Sequence, residues 1–184
     1  MRILLINNHT KHLDELEEIL KPNKVITVPL DEIPEDYSGF DAIILSGGNR
    51  YPVKRNDEKF ADEIKLIKNS SVPLLGICLG FELICYTYGE QLEKLENMEE
   101  GIKNIEILKK DKLFKGIEKL KAFEKHKWGV KEVNNLIPLA KSAAGMEAVK
   151  HPTKQIYGVQ FHPEAISNAS NGIKVLENFL EFCI

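Results

Sequence analysis

Cys78, His162 and Glu164 are the residues of this sequence whose types and spacing best suit nucleophilic chemistry. Cys78 stands in the segment Gly-Ile-Cys-Leu-Gly at 76–80, which closes an apolar run. A Gly-x-Cys-x-Gly turn between a buried strand and a helix is a nucleophile elbow, with cysteine where hydrolases of similar architecture place serine. His162 and Glu164 lie far downstream and are separated by one residue. They supply a base and a carboxylate that can orient it, so the three residues predict a Cys-His-Glu hydrolytic triad.

The surroundings of Cys78 favour the reactive form of its thiol. Segment 72–77 is short and apolar, which predicts a buried strand, and segment 82–88 predicts a helix. A residue on the turn between them points out of the sheet edge, and the helix N-terminus directs its free N–H groups at the sulfur. This environment favours the thiolate, which is the nucleophile. The alternative, a buried structural cysteine, gives no reason for the two flanking glycines.

The elements that must position these residues alternate in the first half and change character in the second. In the first half we predict strands at 3–6, 24–28, 41–45 and 72–77 and helices at 12–20, 58–68 and 82–88. In the second half we predict short strands at 91–95, 102–108, 120–124, 130–133, 138–142, 146–150 and 156–161, and then a helix at 171–182. The pattern predicts an α/β fold: an open, mostly parallel sheet flanked by helices, with an added antiparallel section, in a single domain 1–184.

Three of the predicted strands end in residues that suit a ligand site. They end at Gly47 and Gly48, at Cys78 and at His162. In an open α/β sheet, ligands bind beyond the carboxyl ends of the strands. We therefore expect these residues to meet at one edge of the sheet.

Composition excludes several classes of function. The net charge of −3, without a basic stripe, argues against nucleic-acid binding. No apolar run approaches the length of a membrane span, and the N-terminus turns polar too early for a signal peptide. Three cysteines without a disulfide pattern predict a cytoplasmic protein. The histidines and cysteines show no metal-ligand spacing, so we expect neither a metal nor a cofactor.

In segments 44–48, 75–80 and 156–164 the sequence resembles the class I (triad-type) glutamine amidotransferases, and the similarity covers nearly its whole length. Within the family it is most similar to the stand-alone glutaminase subunits of archaeal GMP synthases, at 113–116, 147–151 and 176–179. The resemblance implies a flavodoxin-like core and the hydrolysis of L-glutamine to glutamate and ammonia. It also implies an ATP-dependent synthetase on a separate polypeptide as the partner that receives the ammonia, because the chain has no nucleotide-binding P-loop.

The resemblance also implies a role for each site residue. Cys78 would attack the side-chain amide, His162 would act as base and then as acid, and Glu164 would orient the imidazole. The oxyanion hole would consist of the backbone N–H groups of Gly48 and Leu79. The residues expected to contact the substrate are Gly47, Glu82 and His126.

Two alternatives remain open on the sequence. Glu82 stands where the family usually has glutamine, and His-Lys-Trp at 126–128 resembles the γ-glutamyl hydrolases, which share this fold. These features favour a free-standing γ-glutamyl hydrolase that cleaves γ-glutamyl peptides. The other alternative is a catalytically silent binding module, which the intact Cys78, His162 and Glu164 disfavour.

Overall fold

Over residues 1–183, which are the residues that the computed structural model describes, the chain forms one nine-stranded sheet and four α-helices. Ile184, the last residue of the predicted domain, lies outside the described residues. The strands are β1 (Arg2–Asn7), β2 (Lys24–Pro29), β3 (Ala42–Leu45), β4 (Leu74–Ile77), β5 (Glu93–Ile107), β6 (Leu120–Gly129), β7 (Ile137–Lys141), β8 (Met146–Lys150) and β9 (Ile156–Val159). The helices are α1 (Leu13–Leu20), α2 (Ala61–Asn69), α3 (Leu79–Thr87) and α4 (Ile173–Phe182).

Half of the sheet is parallel and is covered by helices on both faces. Its strands follow the order β2-β1-β3-β4-β9, and every neighbouring pair is parallel. Successive side chains of a strand point to opposite faces, so Ile3 and Leu5 pack with α1 and α4, whereas Leu4 and Ile6 pack with α2 and α3. The predicted α/β class with a mostly parallel core is confirmed. None of the helices in the described part of the chain combines the length and the apolar character that a membrane crossing requires.

The other half of the sheet is antiparallel and curls back towards the parallel half. From β9 the order continues β8-β7-β5-β6, and each of these pairs is antiparallel. Phe123 of β6 then bridges to His162, just beyond β9, and the His162 N–H donates to the Phe123 carbonyl at 2.8 Å. β6, the edge strand of the antiparallel half, therefore lies against the end of β9, and the sheet forms a half-barrel.

Three of the predicted strands in this section are wrong in detail. Segments 91–95 and 102–108 belong to one long strand, β5, in which Gly101 adopts a φ of 102° and the pairing with β6 shifts register. The polar residues between the two apolar segments conceal the continuity of this strand in the sequence. Segment 130–133 is a connection rather than a strand, and the backbone that follows it is held by a side chain. The buried Glu90 carboxylate accepts hydrogen bonds from the backbone N–H groups of residues 134–136. In a strand, the backbone of a neighbouring strand would accept such bonds.

A buried polar network ties the ends of β1 and β3 to α2. The Asn8 N–H donates to Ser46 Oγ at 2.9 Å, and Asn8 Nδ2 donates to Glu63 Oε1 at 3.0 Å. All three side chains are buried. Burial raises the pKa of Glu63 to about 8, although the hydrogen bond from Asn8 opposes the shift. Because Gly47 and Gly48 follow Ser46 directly, this network fixes the backbone that leads into the glycine pair.

Replacing Glu63 by Gln is expected to flatten the dependence of stability on pH. The folded chain keeps the Glu63 proton up to about pH 8, whereas the unfolded chain, at the ordinary value of 4.5, has released it. Stability therefore falls as the pH rises through this interval, by up to about 1.4 kcal/mol per pH unit for this group. Gln does not titrate and removes that contribution. Urea unfolding of both proteins across the interval measures the difference.

The exposed Glu58, changed to Gln, is the matched control and should follow the parent curve. Parallel curves for the parent and Glu63→Gln would contradict a protonated Glu63 in the folded chain.

Candidate active site

Cys78 occupies a strained turn between β4 and α3. Its φ of 50° and ψ of −100° lie outside the helical and extended regions, an unusual conformation for a non-glycine residue. The Cys78 N–H donates to the Val159 carbonyl of β9 at 2.8 Å, and the Cys78 carbonyl accepts from the Glu82 N–H at 3.0 Å. The turn is therefore fastened to the neighbouring strand on one side and to the first turn of α3 on the other. This is the geometry of a nucleophile elbow.

The glycines beside Cys78 are required by close contacts between backbone segments. A Cβ on Gly76 would lie 2.4 Å from the Gly80 carbonyl oxygen, and one on Gly80 would lie 2.6 Å from the Leu45 carbonyl oxygen. A Cβ on Gly48 would lie 2.1 Å from the Asn8 carbonyl oxygen. Each contact is with backbone, which has little room to move. The glycines thus allow α3 to begin directly against β3 and β4.

His162 lies beside Cys78 and is held by Glu164. With the ring proton assigned to Nδ1, this atom donates to Glu164 Oε1 at 2.8 Å. The side chain of Glu164 is fully buried and that of His162 nearly so. A Cβ on Gly47 would lie 3.0 Å from His162 Cε1 and 3.5 Å from Cys78 Cβ, so Gly47 adjoins both side chains. The predicted strand ends therefore do meet at one edge of the sheet.

The electrostatics of Cys78 and His162 are coupled. Burial raises the pKa of the Cys78 thiol, and the charge and hydrogen bonding of His162 oppose this rise. Burial alone would lower the pKa of His162, but the Cys78 thiolate and then Glu164 outweigh it and raise that pKa well above its usual value. Each charged form stabilises the other, so a proton that leaves the sulfur is held on the imidazole.

A cavity of about 440 Å³ opens over Cys78 and His162. Its walls come from the segments that follow β1 and β3, from the start of α3 and from β5 and β6. The lining residues are His9–His12, Gly48 and Asn49, Tyr51 and Pro52, Leu79 and Glu82, Met98, and Lys125–Trp128. Gly48 and Leu79, the predicted oxyanion-hole residues, border the same cavity as Cys78. Leu79 is the first residue of α3, and the N–H groups of a first helical turn have no partner within the helix.

Glu82 lies in the cavity one turn into α3, and its carboxyl group is buried. Burial raises its pKa to about 8, and a hydrogen bond from Gln160 opposes that shift. Glu82 is therefore mostly neutral at pH 7 and can both donate and accept a hydrogen bond.

His126 borders the cavity, but both of its ring nitrogens point to protein atoms. Nδ1 lies 2.7 Å from the Trp128 carbonyl oxygen and Nε2 lies 3.0 Å from Glu124 Oε2. The predicted substrate contact of His126 would therefore have to come from its ring carbons or its backbone. The ring nitrogens instead belong to a buried group formed with Glu124 and Glu147, whose potential ligand atoms lie within 4.8 Å of one another.

Sequence reasoning missed three residues that adjoin Cys78 or His162. Gln160 Nε2 lies 3.9 Å from Cys78 Sγ and 3.5 Å from Glu82 Oε1. The Lys125 carbonyl oxygen lies 3.9 Å from the same sulfur, and the His12 ring centroid lies 5.3 Å from that of His162. Only Gln160 carries a local signal, because residues two apart on an extended chain face the same side. The positions of Lys125 and His12 depend on the curl of the sheet and on the start of α1.

Comparisons with known proteins agree with this architecture. The family model described as glutamine amidotransferase class-I matches residues 5–182. The chain is 35% identical over 190 residues to a glutamine-hydrolyzing GMP synthase subunit of Methanococcus aeolicus, covering 98% of this chain and 97% of the relative. It is 36% identical over 182 residues to the protein of the same name from Saccharolobus solfataricus, covering 97% of this chain and 92% of the relative.

A solved structure agrees as well. A crystal structure from Thermoplasma acidophilum, described as that of a GMP synthase subunit, superimposes with a TM-score of 0.87. It is 25% identical in sequence, and the match covers 100% of this chain and 94% of that one. Since the fold, the elbow at the sheet edge and a family match over nearly every residue agree, the chain belongs to the class I glutamine amidotransferases.

Proposed function

We propose that this chain is a glutaminase subunit, which hydrolyses L-glutamine to glutamate and ammonia through a thioester on Cys78. The ammonia then passes to a separate synthetase subunit, that of a GMP synthase. The observation that carries the proposal is the arrangement at the sheet edge: a thiol on a nucleophile elbow beside an imidazole whose other nitrogen is held by Glu164 at 2.8 Å. The family membership supports the same reaction class.

In the first half of the proposed reaction, Cys78 Sγ attacks the side-chain amide carbon of glutamine. The thiol proton moves to His162, and the carbonyl oxygen becomes an oxyanion. His162 then donates its proton to the departing nitrogen, the C–N bond breaks, and ammonia leaves a γ-glutamyl thioester on the sulfur. The raised pKa of His162 suits this sequence because the imidazole holds the proton while the sulfur is charged.

In the second half, water attacks the thioester carbon while His162 accepts its proton. A second tetrahedral intermediate forms and collapses. The C–S bond breaks, the sulfur regains the proton from His162, and glutamate leaves. Glu164 accepts the Nδ1–H hydrogen bond throughout and stabilises the imidazolium that forms in each half.

The two tetrahedral intermediates require donors for their oxyanion. We assign these to the backbone N–H groups of Leu79, at the start of α3, and of Gly48, which follows β3. Loss of one such donor typically slows the reaction by about 10²–10³-fold. Gly47 beside His162, and Glu82 with Gln160 beside the sulfur, would position the substrate.

The identity of the partner rests on the relatives. Those from Methanococcus aeolicus and Saccharolobus solfataricus are each named as one subunit of a glutamine-hydrolyzing GMP synthase, and this chain matches nearly their whole length. We infer that an ATP-dependent synthetase subunit receives the ammonia, and that the pair works in the cytoplasm. The continuous sheet from β2 to β6 supports our view that residues 1–184 act as one domain.

A second candidate function is a free-standing γ-glutamyl hydrolase. The observation that favours it is the carboxyl group of Glu82, which lies in the cavity near Cys78 where the resemblance predicts an amide. An ionised carboxylate there would bind the amino group of a peptide substrate but would repel a carboxylate. The protonation state of Glu82 therefore separates the two candidates.

Changing Cys78 to Ala is expected to abolish ammonia release from glutamine, by more than about 10⁴-fold, because no other group can form the thioester. Ammonia is measured with the purified chain by itself and in the presence of the ATP-dependent half of a GMP synthase. Cys183, a half-buried thiol at the end of α4, changed to Ala, is the matched control and should retain activity. Ammonia release by Cys78→Ala at the parent rate would refute the triad.

Faster cleavage of a γ-glutamyl dipeptide than of glutamine by the parent chain would favour the second candidate, the γ-glutamyl hydrolase.

Changing Glu82 to Gln is expected to distinguish the glutaminase from the γ-glutamyl hydrolase. Gln resembles the neutral form of Glu82, so a glutaminase should keep its activity near pH 7. It should also lose the decline that ionisation of Glu82 causes as the pH rises through about 8. The check is the pH profile of kcat/KM for glutamine, with the exposed Glu96→Gln as control. Loss of glutamine hydrolysis near pH 7 in Glu82→Gln alone would contradict a neutral Glu82.

A further inference from the structure

Glu124, His126 and Glu147 form a buried polar cluster inside the antiparallel half of the sheet. Glu124 and His126 lie two residues apart on β6 and share its inward face, and Glu147 comes from β8. Glu124 and Glu147 are fully buried and His126 is 5% exposed. The potential ligand atoms of the three residues lie within 4.8 Å of one another. The proposed reaction uses none of these ring nitrogens or carboxylates.

The hydrogen bonding of His126 fixes which nitrogen faces the cluster. The Trp128 carbonyl oxygen, 2.7 Å from Nδ1, can only accept, so Nδ1 carries a proton. In the neutral ring, the Nε2 lone pair then points at Glu124 Oε2, 3.0 Å away. Two lone pairs at that distance repel each other unless a positive charge lies between them. A metal-bound histidine shows the same arrangement, in which its other N–H donates to a backbone carbonyl.

Two carboxylate oxygens of the cluster lack partners. Among the described residues, Glu124 Oε1 and Glu147 Oε2 are buried without a hydrogen bond. The other oxygen of Glu147 accepts from Ser142 Oγ at 2.6 Å, which orients that carboxyl group. Buried carboxylate oxygens without donors are costly, so they indicate a missing cation or proton.

The charges that face the cluster are mostly negative. Besides Glu124 and Glu147, β5 contributes Glu99 and Lys103, whose Nζ pairs with Glu99 Oε2 at 2.8 Å. Lys103 pairs with Glu99, and no lysine or arginine side chain among the described residues forms an ion pair with Glu124 or Glu147.

We propose that Glu124, His126 and Glu147 bind one divalent transition-metal ion, with Zn²⁺ as the best fit. Two carboxylates balance the double charge, and a neutral imidazole with carboxylate oxygens is a ligand set that Zn²⁺ accepts. With metal–ligand bonds of about 2.0–2.2 Å, ligand atoms lie roughly 3–4 Å apart, so the most distant pair would have to approach by no more than about 1–2 Å.

The ion would act as a structural clamp close to the catalytic cavity. It would join β6 to β8 through their inward faces. Lys125 lies between two of the ligands, and its carbonyl oxygen is 3.9 Å from Cys78 Sγ. Binding would therefore steady the wall of the cavity formed by β6 without taking part in the chemistry.

The test is Zn²⁺ binding to chelator-treated protein, measured by calorimetric titration. Cys78→Ala serves as the parent because a thiol beside His162 can itself bind zinc. We expect one ion per chain and a rise in the Tm of this parent when Zn²⁺ is added. Glu124→Gln and Glu147→Gln, each added to Cys78→Ala, should weaken binding by at least about 100-fold, because each removes a ligand.

Glu63→Gln in the same background is the matched control, since Glu63 is equally buried but has no histidine partner. It should bind Zn²⁺ as the parent does. Circular dichroism verifies that each variant is folded, and the Tm shift of the parent tests the site without any cluster variant. Absence of Zn²⁺ binding by the parent would overturn the proposal. So would Zn²⁺ affinities of Glu124→Gln and Glu147→Gln that equal the affinity of the parent.

Discussion

The site depends on the parallel pairing of β3, β4 and β9. Three neighbouring parallel strands bring their carboxyl ends to one edge, and that edge carries the glycine pair, Cys78 and His162. The pairing also fixes the nucleophile, since the Cys78 N–H bonds to the last residue of β9. Gly76 and Gly158 are direct partners in β4 and β9, and both lie against the start of α3. Side chains at these positions would push the helix, and with it the sulfur, away from the base.

The antiparallel half of the sheet contributes a wall rather than reacting groups. Its curl ends in the bridge between Phe123 and His162, so His162, which follows β9, is also anchored to β6. The same curl places Lys125, His126 and Trp128 on the cavity and buries Glu124. Any shift of β6 would therefore change both the cavity and the base, which is why a clamp between β6 and β8 would matter for the site.

Much of the parallel half could be predicted from sequence because its signals are local. Short apolar runs end in glycine, cysteine or histidine, and parallel strands place such ends together. The oxyanion-hole and substrate roles of Gly48, Leu79 and Glu82 stay predictions, although these residues do border the cavity. The antiparallel half was harder. The polar segment within β5 concealed its continuity, and the Glu90 carboxylate replaces a strand partner for residues 134–136. The cluster of Glu124, His126 and Glu147 joins two strands distant in sequence, so spacing alone cannot show it.

Acid quenching during turnover, followed by mass spectrometry of the peptides, tests the central claim most directly. The account predicts one γ-glutamyl group on the peptide that contains Cys78, formed from glutamine and absent from the peptides that contain Cys85 or Cys183. Ammonia release without any adduct on Cys78, or an adduct of the same mass on another residue, would contradict it.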